Sequence, residues 1–294
     1  MSKLRETLEA GAFPVVVELK PPKGAGVDEM LAVVKALAGR VTAFSLPDNE
    51  HARMRLAAVA AARLVQEAGG EALVHLTCRD RNRLALESDL LGAASLGLEN
   101  LLLVSGDYVT LGDHPQAKPV YDADSVQLLQ IARGLMDGHD SAGLALTGAP
   151  AFFLGAVVIP EAEPLPPQLI KFEKKLAAGA QFFITPAVFD LDKLRRFREH
   201  LPETPVKLLV SVKVLGADEV AQAAAGQWRK VYSLPPNLVN DLAGKEPEDI
   251  LAMGVKAASR LVQQIKQEKL ADGVYLKAKG RTDLFTKILE AAGL

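Results

Sequence analysis

Short apolar runs alternate with segments of helical periodicity eight times along this chain, and no other feature restricts its fold as strongly. The runs at 15–19, 41–46, 72–77, 100–105, 152–159, 181–185, 206–212 and 273–277 read as strands. Near-continuous apolar strands belong to sheets covered on both faces, so their alternation with helices predicts a parallel sheet. Eight such units within 294 residues predict a closed (β/α)8 TIM barrel, one domain over residues 1–294. Extra helices toward the C-terminus, at 235–242 and 247–267, precede the last strand. The runner-up, an open doubly wound sheet, lacks its signature, because Gly24-Ala25-Gly26 after the first strand does not have the spacing of a dinucleotide fingerprint.

Between the strands, Asp28 caps a helix that ends at Gly39, and an Ala-rich helix over 51–67 is terminated by Gly69-Gly70. Further helices are predicted over 82–96, from about 124 to 134, and over 166–178, 191–200, 217–225 and 283–292. Two connections break the rhythm, at 106–122 and 137–150. The first is rich in Gly, Pro, Asp and Lys, and loops of that length in compact domains are functional or disordered.

Acids and bases are interspersed with a net charge of −2, which leaves no electrostatic footprint for nucleic acid or an anionic membrane. The single cysteine, Cys78, excludes an internal disulfide and a thiolate metal cluster built from this chain alone, and suits a reducing cytoplasm. No apolar stretch reaches the roughly 20 residues needed to span a bilayer, and the first residues lack the pattern of an export signal. A cytoplasmic protein is expected, with homo-oligomerisation left open and no metal site.

In such a barrel the active face is built from the C-terminal strand ends and the loops after them. The first strand delivers Glu18 and Lys20 on one face, because side chains repeat every second residue. The second delivers Asp48 and Asn49, the third His75, Thr77, Arg79 and Asp80, and the fourth Ser105, Gly106 and Asp107. Glu18 ends an apolar run, so desolvation can make it a general acid near neutral pH; a barrel-mouth ion pair with Lys20 or an arginine is the equal alternative. Gly106 allows close approach of a flat ligand or simply makes a tight turn, and Asp107 can accept from ring N–H groups. The long loop sets His114, Lys118, Tyr121 and Asp124 together, a mixture suited to a nucleotide. Lys174-Lys175 can add phosphate contacts or lie on a wet helix face.

Glu18-x-x-Pro21-Pro22, His75-Leu76-Thr77-Cys78 and Gly106-Asp107, in this order at strand ends one, three and four, resemble the flavin-dependent methylenetetrahydrofolate reductases. The strings 79–83, 112–115 and 118–121 are similar to a branch of that family found in anaerobic one-carbon metabolism, and the likeness covers roughly residues 13 to 291. The resemblance implies a barrel holding FAD at its strand ends. It implies reduction of 5,10-methylenetetrahydrofolate to 5-methyltetrahydrofolate by a ping-pong hydride transfer, with a reduced nicotinamide or a redox partner protein as donor. Carried over, Glu18 is the acid that opens the methylene bridge, and Asp107 lies between flavin and pterin. His75, Thr77, Tyr121, Asp124 and Lys175 fall at FAD contacts, and Asp48, Asn49, Arg79, Asp80, Ser105, Gly106, His114 and Lys118 complete the expected cofactor wall.

The chain departs from the family pattern in three places. Pro47 stands where the family has a threonine, with Ser45 as a substitute, and Ser105 stands where an arginine is expected. Pro186 occupies the position of a glutamine that grips the pterin, and proline offers neither an N–H nor a side-chain hydrogen bond. Losing one such bond costs about 0.5–1.5 kcal/mol, which weakens folate binding without abolishing it. Lys279 or Arg281 is a replacement basic contact after the last strand. These departures motivate two alternatives: a partner-dependent or non-catalytic flavoprotein subunit of a larger redox complex, and a paralogue acting on another reduced pterin. A lyase using Lys20 as a Schiff-base amine is a third reading.

Overall fold

A computed structural model of the chain describes residues 1–201, 206–227 and 234–294. Eight strands, β1 (Val15–Glu18), β2 (Ala43–Leu46), β3 (Ala72–Thr77), β4 (Asn100–Val104), β5 (Phe153–Val157), β6 (Phe182–Ala187), β7 (Lys207–Lys213) and β8 (Gly273–Lys277), pair in parallel. They close on themselves in chain order, β1 pairing with β8 through Val15 and Val274. Helix α1 (Lys3–Glu9) precedes the barrel. Helices α2 (Asp28–Leu37), α3 (Ala58–Glu67), α4 (Arg83–Ser95), α5 (Ser125–Met136), α6 (Pro166–Ala177) and α7 (Leu191–Glu199) follow the first six strands in turn. Among the described residues three helices, α8 (Ala217–Ala224), α9 (Pro236–Leu242) and α10 (Pro247–Gln267), lie between β7 and β8, and α11 (Thr282–Ala292) follows β8. The expected (β/α)8 barrel with added helices near its end is therefore the observed architecture. Among the described residues no helix is long and apolar enough to cross a membrane.

Alternation along each strand divides the apolar residues into two bodies. Val15, Val17, Phe44, Val74, Leu76, Leu101, Leu103, Val210 and Val274 point outward and pack beneath the helices. Val16, Ala43, Leu73, Leu102, Phe153, Phe182, Leu209 and Tyr275 point inward, and the Phe153 and Phe182 rings stack at 4.7 Å between centroids.

Helix α1, for which the sequence reading had no element, plugs the N-terminal end of this interior with Leu4 and Leu8, both fully buried and four residues apart on one face. Each contributes about 1.5–3 kcal/mol of burial. Ser2 caps the helix, accepting from the Arg5 N–H at 3.3 Å, and its hydroxyl donates to Asn100 Oδ1 at 2.6 Å at the start of β4.

One predicted element differs in kind. The helix expected over 51–67 begins only at Ala58, after a 3₁₀ turn at Glu50–Ala52. The intervening backbone is spent on distant partners: the Met54 N–H donates to Asp113 Oδ1 at 3.0 Å and the Leu56 N–H to the Pro22 carbonyl at 2.9 Å. Those bonds turn the segment across the barrel mouth.

Candidate active site at the carboxyl ends of the barrel strands

Two residues beyond the apolar floor the barrel interior becomes polar. Glu18, Ser45, His75, Thr77, Ser211 and Lys277 continue the inward-facing positions of β1, β2, β3, β7 and β8. Glu18 is only 6% exposed. Its Oε2 lies 2.5 Å from Lys277 Nζ and accepts from the Tyr275 hydroxyl at 3.3 Å, while Lys20 Nζ stands 3.8 Å from Oε1. Of the two readings open for Glu18, the ion pair is thus present, with Lys277 rather than an arginine as its nearest cation. Lys20, weighed as a Schiff-base amine, is paired at 2.6 Å with Glu50, which also meets Lys277 at 3.3 Å.

Burial opposes the Lys277 charge, but Glu18 and Glu50 outweigh it and hold the ammonium well above its ordinary range. Burial would likewise raise the Glu50 carboxyl, yet Lys277, Lys20 and His51 together hold it well below the usual carboxylate range. Burial, followed by the Lys277 charge, pulls the His75 imidazole down to about 3. His75 is therefore a neutral ring at physiological pH, and its Nε2 lies 2.7 Å from Ser45 Oγ.

Asp107 follows β4 and is about half exposed. Its Oδ2 accepts the His51 backbone N–H at 2.9 Å and lies 3.4 Å from His51 Nδ1; these contacts, outweighing burial, keep the carboxyl below its ordinary value. Asn49, His51 and Ala52 all adopt left-handed backbone, with φ of 46°, 57° and 54°. Asn and His tolerate that region better than most residues, whereas alanine pays about 1 kcal/mol or more to enter it. The turn is held from above by Gly112, where a Cβ would come within 1.8 Å of the Ala52 carbonyl oxygen.

The residues after β3 divide by layer. Asp48 is buried and accepts from the Thr77 N–H and hydroxyl, each at 3.0 Å, and from Arg81 at 2.6 Å. Arg79, 2% exposed, makes a bidentate pair with Asp80 at 2.7 and 2.8 Å and reaches the Asn49 and Asp107 carbonyls. Asp48, Arg79 and Asp80 thus form a layer behind Thr77 that fixes the ends of three neighbouring strands. Asn49 joins them through its side chain, which accepts from the Arg55 N–H and donates to Asp80 at 3.4 Å.

Gly106 has φ of +93°, and a Cβ there would sit 2.9 Å from Arg79 Cβ. The space beside it is filled by Arg79 and Thr77, so the turn itself demands this glycine; close approach of a ligand is not needed to explain it. Ser105 accepts from the Ser125 N–H at 3.1 Å and keeps its own proton to donate. The Tyr121 hydroxyl donates to the Asp107 carbonyl at 2.9 Å and keeps its lone pairs to accept.

Other expected contacts lie farther out. Asp124 caps α5, accepting from the Val126 and Gln127 N–H groups in a capping box. His114 pairs with Asp113 at 2.9 Å, and Asp113 with Lys23. Lys118 is exposed on the loop. Lys175 is part-buried, donates to the Val157 carbonyl at 2.7 Å where β5 ends, and is pulled down to about 8 by burial and by Lys171. Cys78 takes no part, its buried thiol being pushed up to about 12.

Pro186 lies within β6, beside a register shift between Ile184 and Ala187. A proline removes one ladder donor, and an irregularity beside it is how a central strand accommodates one. Thr185 repairs the ladder: its Oγ1 accepts the Ser211 N–H at 3.0 Å, and Ser211 Oγ donates to the Thr185 carbonyl at 2.5 Å. Lys279, after β8, is exposed and paired with Asp218 at 2.7 Å.

The sequence reading did not single out Tyr275, Lys277, Glu50 or His51. The first two were accessible to the alternation argument that selected Glu18, since Tyr275 and Lys277 share a face at the end of β8. Glu50 and His51 carried no usable signal, because their contacts depend on left-handed backbone where a helix start was expected.

A family model described as methylenetetrahydrofolate reductase matches residues 3–293. A 5,10-methylenetetrahydrofolate reductase from Pectobacterium carotovorum is 24% identical over 268 residues, 89% of this chain and 84% of the relative. A probable methylenetetrahydrofolate reductase (NADPH) from Caenorhabditis elegans is 20% identical over 80% of this chain, which spans only 34% of that relative's length. Among solved structures, a Clostridium thermocellum protein that binds two copies of 5-methyl-5,6,7,8-tetrahydrofolic acid superposes with a TM-score of 0.66 at 13% identity, covering 98% of this chain and 97% of its own. At that identity the likeness is one of fold.

Proposed function

This chain belongs to the methylenetetrahydrofolate reductase family and is an oxidoreductase of that type, and from that premise we propose that it reduces 5,10-methylenetetrahydrofolate to 5-methyltetrahydrofolate with FAD bound at the barrel mouth. The observation that carries the reading is the split polarity of that mouth. Glu18, Ser45, His75, Tyr275 and Lys277 make a polar wall on β8, β1, β2 and β3, while Val104, Gly155, Val157 and Ile184 leave β4 to β6 apolar across the barrel. Flat heteroaromatic rings with polar edges suit such a slot. The fold match to a protein that binds 5-methyl-5,6,7,8-tetrahydrofolic acid supports a reduced folate as the substrate class.

The donor set fits FAD. At the barrel mouth the His75 ring and the Thr77, Ser105 and Tyr121 hydroxyls retain hydrogen-bonding capacity for an uncharged polar ring. Farther out, Lys118 and Lys175 offer cations to a diphosphate, and an anion beside Lys175 would bring its ammonium back toward its ordinary range. When bound, FAD supplies a two-electron carrier between a reduced nicotinamide or a redox partner protein and the folate. Glu18, once a proton has displaced its ion pair with Lys277, delivers that proton to the amine nitrogen that leaves as the methylene bridge opens. Asp107, anchored by His51, orients the pterin. The apolar wall excludes water from the exchange.

The purified protein is expected to be yellow, and its reduced flavin to be reoxidised by methylenetetrahydrofolate. Glu18→Gln should lower the folate half-reaction by about a hundredfold or more while reduction of the flavin by its donor proceeds. A colourless protein that fails to take up added FAD would refute the cofactor, and equal loss in both half-reactions would refute the role of Glu18.

A further inference from the structure

The turn after β2 touches both proposed catalytic carboxylates. Lys277 Nζ stands 2.5 Å from Glu18 Oε2 and 3.3 Å from Glu50 Oε1, and Lys20 Nζ stands 2.6 Å from Glu50 Oε2 and 3.8 Å from Glu18 Oε1. These four contacts close a ring of alternating charge. One residue on, His51 holds Asp107 Oδ2 through its backbone N–H at 2.9 Å and its Nδ1 at 3.4 Å, with Nε2 4.0 Å from Glu50 Oε1. A continuous run of side chains, Lys277, Glu50 and His51, therefore joins Glu18 to Asp107. The turn that places Glu50 and His51 contains three left-handed residues that are not glycine, and strain of this kind persists only where packing over-determines it, most often at functional sites.

We propose that Glu50 and Lys277 are the positioning pair of this site: Glu50 draws the Lys277 ammonium onto Glu18 while its neighbour His51 anchors Asp107, so that the turn at 49–52 fixes both carboxylates relative to each other. The inference rests on the reading of Glu18 and Asp107 as the reactive carboxylates. A lysine on a four-carbon stem has many rotamers, and one carboxylate does not select among them. Gripped from both sides, Lys277 has one position. The charged and titratable groups facing Glu18 are Lys20 beyond β1, Glu50 after β2, His75 on β3, and Tyr275 and Lys277 on β8. With His75 neutral, the ring lysines are the only cations in that set.

The test compares Glu50→Gln, Lys277→Met, the double variant and Lys277→Arg in the full chain, with two readouts. Carboxyl-13C NMR of glutamate-labelled protein, with the Glu18 signal assigned through Glu18→Gln, follows the Glu18 titration without any turnover. Lys277→Met should move that titration to higher pH and Lys277→Arg should restore most of it, while the shift that Glu50→Gln produces in the wild-type background should be largely lost once Lys277 is already methionine. Such non-additivity is the signature of groups acting through one another. In the folate half-reaction Glu50→Gln should lower kcat by roughly tenfold to a hundredfold with KM changed far less, and shift the pH profile in the same direction as the NMR titration. An unmoved Glu18 titration in Glu50→Gln, or strictly additive shifts, would overturn the proposal. If Lys277→Met does not fold, Glu50→Gln and Lys277→Arg still decide it. A wild-type protein that shows the coupled titration but no folate turnover would refute the functional reading and leave the ring standing.

Discussion

The two halves of the barrel interior are built from the same strands and differ in almost everything else. Below, Val16, Ala43, Leu73 and Leu209 meet the Leu4 and Leu8 plug from α1 in an apolar floor. Two residues farther along the same strands stand Glu18, Ser45, His75 and Ser211. Each of these four strands thus carries both roles, which places stability and chemistry about 7 Å apart along a single backbone. The lesson is that neighbours in sequence need not share a purpose, whereas residues at equal height on different strands do. Substitutions in the two layers should therefore differ in kind as well as in size.

The largest expected effect tests the floor. Phe182→Ala removes a fully buried ring stacked on Phe153 and should cost about 3–5 kcal/mol in urea or thermal unfolding, with the folate half-reaction of the folded fraction nearly unchanged. A variant of wild-type stability that has lost turnover would erase the division between the layers. A smaller effect probes the boundary at β6. Thr185→Val keeps the shape but leaves the buried Ser211 N–H without its 3.0 Å acceptor, a loss of about 1–3 kcal/mol. Thr185→Ser retains the hydroxyl and should recover most of it. If the valine variant is as stable as wild type, the ladder beside Pro186 does not depend on Thr185.

How much of this was legible in the sequence follows the same division. Strand positions were readable because strands buried on both faces are nearly unbroken apolar runs, so β3 and β8 fall at 72–77 and 273–277 as expected. Strand-end logic also found Glu18, His75 and Thr77, since their positions follow from a period of two. The same period pointed to Lys277, but attention at β8 went to Lys279, which the structure pairs with Asp218 on the surface. Glu50 and His51 were beyond reach, because nothing in Asn-Glu-His-Ala requires left-handed backbone and the constraint comes from Gly112 in a loop about 60 residues away. Helix α1 was missed because seven residues carry little periodicity, and its stability comes from the barrel floor it fills. At Pro186 the loss of an N–H is evident from the residue itself; its repair by Thr185 and the register shift is a tertiary response with no local trace.

The subtlest prediction concerns His75, which belongs by height to the polar layer and is half-buried there. In the folded protein its imidazole is pulled down to about 3, while in the unfolded chain it titrates near 6.5. Between those values the unfolded state binds a proton that the folded state refuses, so stability rises with pH across this window and falls as pH drops from 6.5 toward 3. The limiting slope is about 1.4 kcal/mol per pH unit, which amounts to roughly 1.5 kcal/mol between pH 6.5 and 5. That range is above the ordinary carboxylate values, so His75 can be separated from the acids that dominate below it. His75→Gln keeps a hydrogen-bonding group beside Ser45 without a titrating ring, and urea midpoints at pH 6.5 and 5 should differ less in this variant than in wild type by about that amount. Equal pH dependence in the two proteins would mean that His75 accepts its proton in the folded state. The ring at Glu18, Lys277 and Glu50 would then have to tolerate a third cation at the barrel mouth, and the contrast between the two layers would extend from their residues to their charge.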